Sequence, residues 1–367
     1  MENEIEKLQQ ILQEDPSNFQ ARRELSILLA NNGFNEEALS NLKYLTKYFK
    51  DDADLYYNLG ILYEKLKDFE NARESYEKAI EIAEQEDFYY NYGEVLVELK
   101  EWDLAIEAFK KVLKTDQNDG NCYFNLGLCY YYKEEFNLAI DNFQKAVELN
   151  PKDIFAYFYL GNIYQNNGLT NFAVENYNKV LEISPDYSWA YFNLASIAYK
   201  NENLDDARNY LLKTIEFNEM DIEAYNLLAK ISIQQNEIED ILSILHTRLE
   251  KEENGDLFYV LSRIYKHLGD MENYAKNLQF ALKNVLTLTY SKEIIKQELD
   301  YIKEKIKIND VLDEPEIQEY DEEYSDEEEY EEDFEIENYS EDEYETSEED
   351  FEDADFEDED YIEEDEI

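Results

Sequence analysis

The sequence is poor in the residues on which catalytic and metal sites most often depend. Its 367 residues include only two histidines, His246 and His267, and two cysteines. No cluster of histidine, cysteine and carboxylate has the spacing of a metal site, and there is neither a glycine-rich phosphate loop nor a nucleophile motif. We therefore predict that the protein is not an enzyme and uses no cofactor and no metal.

The two cysteines are also badly placed for a disulfide. Cys122 and Cys129 lie seven positions apart on one predicted helix, which separates them by roughly 10 Å. A disulfide needs Cα atoms about 4.4–6.8 Å apart. We expect two free, buried thiols in a reducing compartment, and hence a cytoplasmic protein. No apolar run approaches the roughly 20 residues of a membrane span, and the first residues lack the pattern of a signal peptide.

Basic residues are scarce as well. The chain has 33 Lys and Arg against 90 Asp and Glu, which gives a formal net charge of -57. Phosphate binding needs clustered lysine and arginine, so we expect no direct contact with nucleic acid. A chain this acidic favours a protein or peptide partner, and a basic one in particular.

What the chain does contain is a repeated segment, of which residues 120–153 are the clearest copy. Leu126 and Gly127 lie on one face of a first predicted helix, and Phe143 belongs to the apolar face of a second. Pro151 ends the second helix because proline has no N–H to donate. Such a pair cannot bury its apolar surface alone, so it is useful only when copied. The copies begin, in steps of 33 or 34 residues, at positions 19, 53, 86, 120, 154, 188, 222 and 255.

Several stretches resemble the signatures of the tetratricopeptide repeat family. YFNLG at 123–127 and YYNLG at 56–60 are close to its first-helix signature, and ENARESYEKAI at 70–80 is close to its second. The resemblance implies an all-α fold, a right-handed α-solenoid of stacked helix–turn–helix repeats. It says little about purpose, because this scaffold serves many roles.

The repeat divides the chain into four predicted regions. Residues 1–18 form half a repeat that caps the first full one, and residues 19–289 form eight repeats. Residues 290–310 form a closing helix. Residues 311–367 hold 34 Asp and Glu and no Lys or Arg, with aromatic residues among the carboxylates, and we predict a disordered acidic tail. Caps at both ends favour a monomer.

The family resemblance implies that certain first-helix places line a concave groove that takes peptides. These are the second, fifth, sixth, ninth, twelfth and thirteenth places of each repeat. They hold many aromatic residues, which favours a recognition surface, although the rings could instead pack on neighbouring helices. The aromatic residues at these places are Tyr57, Tyr90, Phe124, Tyr131, Phe155, Phe158, Trp189, Phe192, Tyr199 and Tyr259.

The sixth place carries an interrupted row of asparagines. An amide there can both donate to and accept from a peptide backbone, as in the ladder of O-GlcNAc transferases, which this row resembles. Asparagine could equally be only the consensus residue. The family's two-carboxylate clamp is not expected, because Arg23 is the one basic residue at the second, fifth and sixth places. The row consists of Asn58, Asn91, Asn125 and Asn193, and a basic patch late in the groove consists of Lys230, Arg263 and Lys266.

Two functions remain open on these grounds. The first is a scaffold or adaptor that binds an extended peptide in the groove. The second is a chaperone-like or nucleic-acid-mimic protein whose acidic–aromatic tail binds a basic client. The tail could also lie on the basic patch and inhibit the groove, or serve only for solubility.

Overall fold

The computed structural model describes residues 2–306, and these are all-helical, as predicted. They form eighteen α-helices and one short 3₁₀ turn, Val285–Thr287, with no strand in this part of the chain. Eight first helices alternate with eight second helices. The first helices are α2 (Phe19–Asn31), α4 (Ala53–Lys65), α6 (Glu86–Glu98), α8 (Gly120–Tyr132), α10 (Ile154–Asn166), α12 (Ser188–Lys200), α14 (Ile222–Gln235) and α16 (Gly255–Leu268). The second helices are α3 (Asn35–Thr46), α5 (Phe69–Ile82), α7 (Trp102–Thr115), α9 (Phe136–Leu149), α11 (Thr170–Ile183), α13 (Leu204–Phe217), α15 (Ile238–Lys251) and α17 (Met271–Lys283).

Every first helix begins at the residue where the repeat pattern starts in the sequence. One helix precedes the array, α1 (Glu2–Glu14), and one follows it, α18 (Lys292–Ile306). The predicted tail, residues 311–367, lies outside the described residues. No helix within residues 2–306 combines the length and the apolar character that crossing a bilayer requires.

Most first helices start with a side-chain cap. The carboxylate of Asp119 accepts the backbone N–H of Cys122 at 3.0 Å, and that of Asp153 accepts the N–H of Ala156 at 3.0 Å. An aspartate at this place satisfies an N–H that has no partner within the helix. At these two places the last residue of one repeat therefore caps the first helix of the next repeat.

The turn inside each repeat requires one residue with positive φ. It occupies the fifteenth place in all eight repeats, and only three of these residues are glycine. Such a left-handed residue ends a helix and reverses the chain. The eight residues are Gly33, Lys67, Lys100, Glu134, Gly168, Glu202, Asn236 and Gly269.

Glycine at four of these turns should stabilise the array. The left-handed conformation costs an ordinary residue about 1–2 kcal/mol, whereas glycine loses up to about 1 kcal/mol more chain entropy on folding. We expect the combined change of Lys67, Lys100, Glu134 and Glu202 to glycine to add about 2 kcal/mol. The midpoint of urea unfolding checks this. The matched fourfold alanine variant keeps the Cβ atoms and should show no gain; equal midpoints for the two variants would contradict the expectation.

Glycine on the first helix lets an aromatic ring of the second helix approach closely. A Cβ atom on Gly127 would lie 2.7 Å from the Phe143 ring, and one on Gly93 would lie 2.7 Å from the Phe109 ring. Both rings are fully buried. Where the eighth place holds alanine or serine instead, the residue sixteen positions later is leucine: Ser26 and Leu42, Ala195 and Leu211, Ala229 and Leu245, Ser262 and Leu278.

Candidate functional site

Hydrogen bonds between successive first helices show which residues share a face. The side-chain amide of Asn91 donates to the Tyr57 hydroxyl at 3.0 Å, and that of Asn125 donates to the Tyr90 hydroxyl at 3.5 Å. These bonds join the sixth place of one repeat to the fifth place of the repeat before it. We call the second, fifth, sixth, ninth, twelfth and thirteenth places of α4 to α16 the first-helix face.

Most of the predicted aromatic residues are half-buried on this face. The ring centroid of Tyr57 lies 4.7 Å from that of Phe88, and the centroid of Phe158 lies 5.4 Å from that of Tyr187. Much of their surface is thus used in packing between repeats, which is the alternative that the sequence left open. The other half-buried rings are Tyr90, Phe124, Tyr131, Phe192, Tyr199 and Tyr259.

Two predicted aromatic residues are much more exposed. Phe155 has 52% of its surface accessible and Trp189 has 53%. They occupy the same second place on the adjacent first helices α10 and α12. Tyr132, which the sequence analysis missed, is 51% exposed at the thirteenth place of α8 and stacks on Trp102 at 5.0 Å. Its place in the repeat already assigned it to this face.

The predicted asparagines are engaged within the chain. Asn58 donates to the Asp54 carbonyl of its own helix at 2.7 Å, and Asn193 donates to the Asn162 side-chain oxygen at 3.4 Å. The other two donate to tyrosine hydroxyls, as described above. An amide offers two N–H groups and one carbonyl oxygen, so each side chain has part of its capacity left for a peptide backbone.

An aromatic residue divides the asparagine row in two. Tyr159 occupies the sixth place of α10 and stacks on Phe143, with centroids 5.3 Å apart and planes 6° apart. It also meets Tyr131 edge-on at 5.0 Å. The first-helix face is therefore amide-rich from α4 to α8 and aromatic around α10.

The amide-rich half also carries carboxylates. Glu94 is half-buried at the ninth place of α6, and burial raises the pKa of its carboxyl above the ordinary value. Hydrogen bonds from Tyr90 and Asn125 lower the pKa, whereas the nearby charges of Glu64 and Asp119 raise it. None of the ion pairs between described residues includes Glu64 or Glu94.

The predicted basic patch is partly neutralised by the closing helix α18. Arg263 and Lys266 both pair with Glu298, at 2.9 Å and 3.2 Å. The Lys230 ammonium lies 5.4 Å from the centroid of the Tyr199 ring. The three basic side chains lie on the first-helix face, and Arg263 and Lys266 share one acidic partner.

The segment between α17 and α18 crosses the end of the face. The carboxylate of Asp256 accepts the backbone N–H of Thr289 at 2.7 Å and its hydroxyl at 3.1 Å. The hydroxyl of Tyr290 accepts the Asn226 amide at 2.5 Å, and its ring lies 4.5 Å from that of Tyr259. Burial raises the pKa of Tyr290 to about 12. Among residues 2–306, the chain thus covers its own first-helix face at α14 and α16 and leaves α4 to α12 open.

The two cysteines occupy core places of α8 and do not belong to this face. Cys122 and Cys129 are free and buried, and burial raises the pKa of both thiols, that of Cys129 to about 12. The imidazole of His246 lies 3.1 Å from the Tyr265 hydroxyl on the surface. Among the described residues, no three His, Cys, Asp or Glu side chains are grouped as metal ligands would be.

Among solved structures, residues 41 to the end of MamA from Desulfovibrio magneticus RS-1 are 28% identical, with a TM-score of 0.45 over 47% of this chain and 97% of that one. YrrB, a TPR protein with an unusual peptide-binding site, is 28% identical, with a TM-score of 0.43 over 50% of this chain and 95% of that one. PilF from Pseudomonas aeruginosa is 19% identical, with a TM-score of 0.49 over 58% of this chain and 97% of that one. No curated protein matches.

Models of the tetratricopeptide repeat match five segments of the chain without a gap between them. They cover residues 53–86, 86–119, 120–153, 142–171 and 170–231. Within residues 53–231 the helix hairpins each turn at a residue with positive φ, at Lys67, Lys100, Glu134, Gly168 and Glu202. Residues 53–231 therefore belong to the tetratricopeptide repeat family.

Proposed function

We propose that the protein is a non-catalytic scaffold that binds an extended segment of a partner protein along the first-helix face of α4 to α12. The observation that carries the proposal is the exposure of Phe155 and Trp189 at equivalent places on adjacent helices. Large aromatic side chains that stay accessible beside one another are typical of the centre of a recognition surface.

The surroundings of these two rings suit an extended chain. The half-buried rings on either side offer flat apolar surface, and the amides of Asn91, Asn125 and Asn193 can bond to a peptide backbone without reading its side chains. An extended segment can therefore be held by its backbone and selected by the aromatic pair. Since the closing segment covers α14 and α16, the bound segment ends near α12.

Removing the aromatic pair should weaken binding strongly. Peptides that bind the intact protein are first selected from a random library, and their affinity is then measured by fluorescence anisotropy. We expect the double variant Phe155→Ser and Trp189→Ser to lose at least about tenfold in affinity, because exposed aromatic residues at the centre of an interface supply much of its binding energy.

A matched control removes two equally exposed rings elsewhere. Phe34 and Phe172 are 51% and 53% exposed, and neither belongs to the first-helix face. The double variant Phe34→Ser and Phe172→Ser should keep the wild-type affinity. Equal losses in the two variants, or none in the first, would overturn the proposal.

A further inference from the structure

The open part of the first-helix face is not uniform, and its two halves differ in charge. On α4 and α6 it carries the carboxylates of Asp54, Glu64, Asp87, Glu94 and Glu98, with Lys65 as the one basic residue at these places. At α10 and α12 the second place holds Phe155 and Trp189 instead. A ligand that follows this face therefore passes from an acidic stretch to an apolar one.

The carboxylates of the acidic stretch lack positive partners. Neither Glu64 nor Glu94 takes part in an ion pair between described residues, although the same structure pairs Arg73, Lys133 and Arg208 with carboxylates elsewhere. The same charges act on Tyr57. Burial raises the pKa of its hydroxyl most, and the charges of Asp87, Glu64 and Glu94 raise it further. A bound cation would relieve this repulsion.

From this arrangement we infer that the face of α4 and α6 binds lysine or arginine side chains of the extended segment whose apolar residues reach Phe155 and Trp189. The inference rests on the proposed function and names the chemistry of its partner. Charge complementarity supports it: the acidic side chains alternate with half-buried tyrosine rings, which can stack on a guanidinium or contact an ammonium group.

The repeat spacing predicts the spacing of the ligand. Neighbouring helices lie about 10 Å apart, and an extended chain advances about 3.3 Å per residue. Glu64 belongs to α4 and Glu94 to the next first helix, so the two basic residues should be about three positions apart. Phe155 lies two first helices beyond Glu94. A large apolar residue of the ligand should therefore lie about six positions from the basic residue that pairs with Glu94, on the side away from the other basic residue.

A designed probe tests this pattern. The probe is a labelled peptide with two lysines three positions apart, then a serine spacer, then tryptophan and leucine six positions further on. In a companion peptide both lysines are replaced by glutamate. We expect the full chain to bind the lysine probe at least about tenfold more tightly, because hydrogen bonds between charged groups are the strong ones at such a surface.

A pair of variants assigns the preference to the face. Glu64→Gln with Glu94→Gln should lower the affinity for the lysine probe by about tenfold. Glu81 and Glu107, which are exposed on second helices, supply the control: Glu81→Gln with Glu107→Gln changes the net charge equally and should have no effect. All these proteins keep residues 311–367, so the ratio of affinities removes any contribution of that acidic segment.

The pH dependence gives an independent measurement. In the free protein the pKa of Glu94 is raised, chiefly by burial and also by Glu64 of α4 and by Asp119 before α8, while Tyr90 and Asn125 donate to it. A bound cation lowers this pKa, so binding releases a proton and affinity rises with pH through the raised pKa. This slope should be smaller in the variant Glu94→Gln.

Photo-crosslinking separates failure of this inference from failure of the proposed function. A benzophenone at the tryptophan position of the probe should crosslink to α10 or α12. Crosslinks there without a preference for lysine, or with equal affinities in the two glutamine variants, would overturn the inference and leave the scaffold function standing. Peptides that bind with no crosslinks to any first helix would overturn both.

Discussion

Replacing Gly127 by alanine should destabilise the array, and replacing Phe143 by leucine in the same chain should restore most of the loss. The added Cβ atom would lie 2.7 Å from the Phe143 ring, whereas carbon atoms pack at about 3.5–4.0 Å. Overpacking of this kind costs about 1–3 kcal/mol, and the better helix propensity of alanine returns at most about 1 kcal/mol.

The second change alone is also destabilising. Phe143 is fully buried, so Phe143→Leu leaves a cavity and costs about 1–2 kcal/mol. Together the two substitutions recreate the pair that the chain already uses at Ala195 and Leu211. We expect the double variant to be within about 1 kcal/mol of the wild type, which corresponds to a coupling of about 2–3 kcal/mol in a double-mutant cycle.

The chain offers a matched control for this cycle. A Cβ atom on Gly120 would meet its nearest neighbour, in Leu149, at an ordinary 3.4 Å. Gly120→Ala should therefore be neutral or slightly stabilising and should show no coupling to Phe143→Leu. Urea unfolding of the four proteins of each cycle gives the comparison. Additive effects for Gly127 and Phe143 would show that the ring and the glycine do not limit each other.

The repeat boundaries could be predicted from the sequence because each copy is one supersecondary unit with the same apolar spacing. That regularity places α8 at Gly120 and α16 at Gly255, the predicted starts. It also assigns Trp189 to the first-helix face, since place within the repeat decides which way a side chain points. Repetition made these features predictable, and no conserved motif was needed.

Exposure and pairing on the face depend on particular neighbours, which the repeat does not specify. Phe155 and Phe158 lie one turn apart on α10 and both rings meet Tyr187, at 6.4 Å and 5.4 Å, yet Phe155 is exposed and Phe158 is half-buried. The basic patch was predicted from its residues alone. Its partner Glu298 comes from α18, which is not one of the eight repeats, so the pattern gave no sign of the pairing.

Arg248 in α15 departs from the repeat pattern, and local partners accommodate it. It stands where other repeats have Ala79 and Ala146, and it is 5% exposed. Its guanidinium donates to the Glu219 carbonyl at 3.3 Å and to the Glu252 carboxylate at 3.1 Å. A buried charge is tolerated when its hydrogen bonds are satisfied, and those partners follow from the turn before α14 and the end of α15, not from the repeat.

Replacing Asp256 by alanine should detach the closing segment from the array. Asp256 is 3% exposed and accepts both the backbone N–H and the hydroxyl of Thr289. Thr289 itself is exposed, so the cost is that of two lost hydrogen bonds to a charged acceptor, each of which contributes about 1.5–3 kcal/mol. We expect a loss of about 3 kcal/mol in the local stability of this segment.

The loss should be confined to one end of the molecule because repeats contact only their neighbours. Hydrogen exchange measured by mass spectrometry should show amides of α18 exchanging about 100-fold faster, which is the factor that about 3 kcal/mol implies. Amides of α8 should be unaffected.

A second substitution should also loosen the closing segment. A Cβ atom on Gly255 would lie 2.6 Å from the Asn284 carbonyl oxygen, so Gly255→Ala should also speed amide exchange in α18.

The conservative variant separates hydrogen bonding from charge. In Asp256→Asn the amide oxygen can still accept the Thr289 N–H, and the amide nitrogen can donate to the hydroxyl oxygen, so most of the protection should return. If Asp256→Asn exchanged as fast as Asp256→Ala, the negative charge itself would hold the segment. If neither variant changed exchange in α18, the anchor would lie elsewhere, at Tyr290 and Asn226. Release of α18 would also separate Arg263 and Lys266 from Glu298.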